Sequence, residues 1–138
     1  MGIPRIAAVV GLVMLGLLSV APAMAADCDV DKTIMASGDG LRLSYQLKPN
    51  EIRTGQPFAM TITVCGPDAR PFTGTLQVDA VMPAHRHGMN YRPTVRRLEP
   101  GVYRADGMLF HMRGHWQFRF ALGADNGTVR LAADHQQR

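Results

Sequence analysis

Trp116, Phe118, Phe120 and Leu122 take every second position of one run, with Gln117, Arg119 and Ala121 between them. Successive side chains of an extended chain point to opposite faces, so this alternation describes a strand with one buried face. The pattern recurs at Leu41, Leu43, Tyr45 and Leu47, at Phe58, Met60, Ile62 and Val64, and at Leu76, Val78 and Ala80. Shorter strand signals fall at residues 30–35, 95–98 and 102–105. Turn formers separate the runs: Gly38-Asp39-Gly40, Thr54-Gly55-Gln56-Pro57, Gly66-Pro67-Asp68, Glu99-Pro100-Gly101 and Asp125-Asn126-Gly127. Asn126-Gly127, between the Trp116 run and residues 128–131, reads as a hairpin turn. Seven to nine short antiparallel strands in roughly 110 residues predict an all-β, immunoglobulin-like β-sandwich. A small cupredoxin-type barrel is the alternative. In the sandwich, Leu43, Phe58, Ile62, Val78, Trp116, Phe118 and Phe120 should lie between the sheets.

The N-terminal residues read differently. Arg5 precedes an uncharged apolar run over residues 6–20, Pro22 breaks it, and Ala23-Met24-Ala25 offers small residues where a signal peptidase reads. The expectation is a signal peptide over residues 1–25 and one domain over 26–138, periplasmic or secreted. A retained membrane anchor is the alternative, although the run is shorter than the roughly 20 residues a spanning helix needs. Cysteine use agrees with export. Cys28 and Cys65 are the only two cysteines and form no C-x-x-C pair, so a single structural disulfide is expected in an oxidising compartment.

The chain carries 15 Lys+Arg against 11 Asp+Glu, a formal net charge of +4, and is 46% hydrophobic, which is too apolar for a disordered polymer. Arg92, Arg96 and Arg97 cluster, with Arg86 nearby. There is no interleaved aromatic pattern to stack bases, and an exported protein rarely meets nucleic acid, so none is expected as a partner. The cluster reads as a solvated strand face, or as a surface for an acidic partner or anionic headgroups. Residues 26–138 hold only two Glu, no expected free thiol and no nucleophile-elbow motif, so no enzyme is expected.

The chemistry-bearing residues crowd one window. Of five His, four lie at 85, 87, 111 and 115, and Met82, Met89, Met108 and Met112 lie among them. Two segments hold them: Met82-Pro83-Ala84-His85-Arg86-His87-Gly88-Met89 and His111-Met112-Arg113-Gly114-His115. Pro83 and Gly88 suggest a strand end running into a bend, and Gly114 lets the second segment turn before Trp116. Thioether sulfur with imidazole nitrogen is a copper donor set: Cu(I) accepts Met readily and Cu(II) prefers imidazole. Neither segment contains Asp or Glu, which argues against Ca or Mg, and zinc has no use for the Met residues. The candidate ligands are Met82, His85, His87, Met89, His111, Met112 and His115, of which one ion would use three or four. Packing is the competing account, with Met82 continuing the Leu76–Ala80 alternation into the core and Met108 and Met112 under Trp116. His135, near the C-terminus, is expected to be solvated.

These motifs also carry a resemblance. Met82-Pro83 with its His/Met-rich turn, Gly101-Val102-Tyr103, and Met112-Arg113-Gly114-His115-Trp116 resemble the YtkA-like family, to which FixH-like proteins are related. Leu47-Lys48-Pro49 and Gly55-Gln56-Pro57-Phe58 resemble its entry strands, so the likeness spans roughly residues 41–122. It implies an immunoglobulin-like sandwich outside the cytoplasmic membrane, with a role in copper handling or respiratory oxidase assembly. CopC-type copper carriers are more distant, because their N-terminal His ligand has no counterpart in Ala26-Asp27-Cys28. Two functions follow as expectations: an exported copper-binding accessory protein, or a metal-free interaction module that assists assembly of a respiratory or other envelope complex. Membrane association is expected only if the N-terminal segment is retained.

Overall fold

The computed structural model describes residue 2 and residues 28–30, 35–37 and 39–138. The leader expected over 1–25 falls, apart from Gly2, outside the described residues, and so do residues 31–34 of the strand expected over 30–35. Among the described residues no helix is long and apolar enough to cross a membrane.

The described residues form nine strands in order: β1 (Met35–Ala36), β2 (Arg42–Lys48), β3 (Pro57–Cys65), β4 (Thr75–Met82), β5 (His87–Gly88), β6 (Thr94–Glu99), β7 (Val102–Leu109), β8 (Gly114–Ala124) and β9 (Gly127–Gln137). A 3-10 turn, Pro83–His85, stands between β4 and β5. One sheet has the order β1-β2-β3-β7-β6 and the other β5-β4-β8-β9, and every pairing is antiparallel. With the short β1 set aside, these are the two sheets of an immunoglobulin-like sandwich. The expected hairpin joins β8 to β9, but its two turn residues are Asp125 and Asn126, one position earlier than expected, because Gly127 already pairs with Ala124 as the first residue of β9.

Strand parity decides the core. Leu43, Ile62, Trp116 and Phe118 have no exposed surface, and Phe58, Val78 and Phe120 are buried with them between the sheets. Tyr45 and Phe58 meet Phe118 edge-on, at ring-centre distances of 5.4 and 6.3 Å. One residue departs from expectation. His135 lies within β9 on the inward parity, half-buried against Phe110 and Phe118 at 5.5 and 5.6 Å. It was expected in solvent because β9 was legible only to Leu131. The strand in fact runs to Gln137, whose buried amide donates to Ile52 O at 2.9 Å.

The two ends of the sandwich differ. At one end Cys28 and Cys65 form the expected disulfide, with Cα atoms 5.6 Å apart. There the Tyr103 hydroxyl crosses from β7 to the segment before β4, donating between Gly74 O at 2.7 Å and Phe72 O at 3.2 Å. The opposite end, where β4 and β7 finish and β8 begins, carries the His/Met segments.

Candidate metal centre

The first segment is a tight reversal. Pro83 starts the 3-10 turn because its fixed φ suits a first helical position. Arg86 then takes a left-handed conformation, φ 54°, and its N–H returns to Pro83 O. The chain re-enters the sheet as β5, with His87 opposite Met82. Directly opposed residues share a face. Met82 is buried, so His87 is carried to the inner side, at the open end of the core.

The second segment is the arch from β7 to β8. The Trp116 indole N–H donates to Met112 O at 3.0 Å and closes the arch on itself. The indole stacks on Phe110 at 4.4 Å, with 18° between the planes, and makes an apolar floor. His87 and His111 both stand edge-on to that floor, at 6.1 and 5.5 Å. Gly114 has φ +126°, and a Cβ there would lie 2.9 Å from Met82 Cε. The glycine therefore both turns the chain and admits the end of the Met82 thioether to the second segment.

The two segments, 22 or more residues apart in sequence, meet at their imidazoles. The rings of His87 and His111 are 5.2 Å apart, and those of His85 and His87 are 5.7 Å apart. Two imidazoles on one ion, each bonded at about 2.0–2.1 Å, have ring centres roughly 4.5–6 Å apart. His87 Nδ1 lies 3.2 Å from Gly88 O. A proton on Nδ1 donates to that carbonyl and leaves the Nε2 lone pair for a metal, as the outer hydrogen bond of a ligating His does. His111 Nδ1 is buried and has no partner, alone among the side-chain polar atoms of the described residues. Such an atom ordinarily costs about 1–3 kcal/mol.

The remaining candidates divide. Met82 is wholly buried, as the packing account expects, and Met89 packs half-buried against the core. Met112 is partly exposed on the arch, while Met108 belongs to the core. His115 does not join the group. Trp116 faces inward, so His115 faces outward, where its Nε2 lies 3.0 Å from Asp134 Oδ1. Among the described residues no three His, Cys, Asp or Glu side chains gather closely enough to hold an ion. What meets here is the pair of His87 and His111 imidazoles, with His85 beside His87 on the solvent side and methionine sulfur in the same two segments. The part played by Trp116 was missed from the sequence, although its position two residues beyond Gly114 was a signal.

No family model matches the chain, and no curated protein does. A solved structure of a DUF4426 family protein from Pseudomonas aeruginosa PAO1 is similar to it. The TM-score is 0.56 at 13% identity, over 76% of this chain and 96% of that one. That similarity speaks to the sandwich fold.

Proposed function

We propose that the chain is an exported copper-handling accessory protein and that the His/Met end of its sandwich is the copper site. One observation carries the reading: His87 and His111, brought from two distant segments to 5.2 Å, one of them with a buried and unpartnered Nδ1. That nitrogen fits a metal ligand, because coordination supplies the partner the protein does not. His85 extends the imidazole set at the solvent side, and Met82, Met89 and Met112 are the sulfur donors within the same two segments. Thioethers add affinity mainly for Cu(I) and imidazoles for Cu(II). The disulfide agrees with an oxidising compartment, and the motifs that resemble YtkA-like proteins point the same way.

Competition titration against a chromogenic chelator for each oxidation state tests the reading. His85→Ala/His87→Ala should cripple Cu(II) binding. Met82→Leu/Met89→Leu, which removes sulfur while nearly keeping volume, should weaken mainly Cu(I). Imidazole must be neutral to ligate, so acidification should weaken Cu(II) more than Cu(I). If wild type and both variants hold copper equally weakly, the cluster is packing.

A further inference from the structure

The Arg cluster that stands out in the sequence is dispersed in space. Arg96 pairs with Asp106, and Arg97 donates to Thr73 O at 2.6 Å. A different set assembles on the outer face of the four-stranded sheet. There a groove of about 690 Å³ is lined by Arg119 of β8, Arg130 of β9 and Arg92 of the loop before β6. The register explains it. Arg119 lies opposite Ala132 and Arg130 lies opposite Ala121, so the two arginines are diagonal neighbours. Diagonal positions on adjacent strands are about 7–8 Å apart. Ala121 and Ala132 fill the other two corners and leave the space between the guanidinium groups open.

These three arginines are unneutralised. None takes part in an ion pair among the described residues. Asp79 lies directly opposite Arg119 on β4 and faces the same groove. Its Oδ1 accepts from Ala80 N at 2.8 Å, and Arg119 Nε turns instead to Gln117 Oε1 at 3.4 Å. Three guanidinium groups against one carboxylate leave the groove at +2. Like charges held side by side on a sheet are unfavourable unless something neutralises them. Guanidinium forks match carboxylate and phosphate oxygens, and the volume is that of a small-molecule site.

We propose that this groove binds one small polyanion, a molecule with at least two carboxylate or phosphate groups, held between Arg119 and Arg130 with Arg92 at the side. The site is separate from the His/Met end and stands whether or not copper binds there.

Isothermal titration of the protein with citrate and with inorganic pyrophosphate tests it and distinguishes the two head groups. Saturable binding of one equivalent of either probe is expected. Arg119→Gln/Arg130→Gln should weaken it by roughly tenfold or more, since two charge-assisted contacts are lost. The control Arg70→Gln/Arg96→Gln removes the same charge from two exposed arginines already paired with Asp68 and Asp106, and should change affinity by less than about twofold. All four positions are exposed, and a thermal melt checks that each variant folds. Absence of saturable binding to either probe would overturn the proposal. So would equal weakening by both double variants, which would reflect net charge alone. Binding to phosphatidylglycerol vesicles that neither probe displaces would also overturn it, because a membrane surface would then be the ligand.

Discussion

The two ends of the sandwich are held by different means. At the Cys65 end the polar groups are paired and a covalent bond pins the N-terminal segment. The disulfide ties the N-terminal segment to β3, Cys28 N donates to Ala69 O at 2.7 Å, and the Tyr103 hydroxyl bridges two carbonyls. At the Met82 end closure rests on an indole packed over an arch, and one imidazole nitrogen stays buried without a partner. A fold spends its polar groups where they stabilise it, and departures from that economy cluster where something must bind. The first end pairs its polar groups; the second leaves one buried nitrogen unpaired, the nitrogen that the proposed copper site would use.

The comparison can be broken most forcefully at Trp116. Trp116→Ala should cost about 3–5 kcal/mol in a denaturant melt, because a wholly buried aromatic leaves a cavity. The same change removes the floor beneath His87 and His111, so copper affinity should fall with stability. A loss below about 1 kcal/mol would mean that the arch does not depend on its indole.

Cys28→Ser/Cys65→Ser acts at the other end. The bridge spans 37 residues, which the chain-entropy account values at about 4 kcal/mol. Stability should drop by that order while the copper affinity of the folded protein is unchanged. Loss of both together would show that the ends are coupled.

Tyr103→Phe is milder, at about 1 kcal/mol, since it removes one hydroxyl shared by two carbonyls. Burial raises the Tyr103 pKa and Arg97 pulls it partly back. The fold therefore favours the neutral phenol. Its contribution is complete below the ordinary tyrosine value of about 10 and is lost as pH rises through the higher folded value. Urea melts above pH 10 should show less alkaline destabilisation in Tyr103→Phe than in wild type. Some should remain, because burial raises Tyr45 as well.

Most of the core was legible because it depends on parity alone. Seven residues chosen from alternation, from Leu43 to Phe120, are all buried. The end of β9 was not legible. Its inward positions pass from Val129 and Leu131 through Ala133 to His135 and Gln137, so the apolar signal fades while the strand continues. The outward turn of His115 could have been read, since it precedes an inward Trp. The meeting of His87 with His111 could not, because it depends on how β5 and the β7–β8 arch stack across two sheets. The arginine groove was hidden for a similar reason: Arg119 and Arg130 become neighbours only through the β8–β9 register.

The most direct test of the contrast between the ends is a set of four urea melts: wild type and His111→Leu, each without metal and with Cu(II), the ion that imidazoles favour, in excess over protein. Without metal, His111→Leu should match wild type or exceed it by up to about 1 kcal/mol, because the unpartnered nitrogen is gone. With copper, wild type should gain about 2–3 kcal/mol, the linkage expected when free metal stands near a hundred times its dissociation constant, and the variant much less. If His111→Leu instead loses more than about 1 kcal/mol without metal and copper shifts both proteins equally, His111 is a packing residue and the Met82 end is no metal centre.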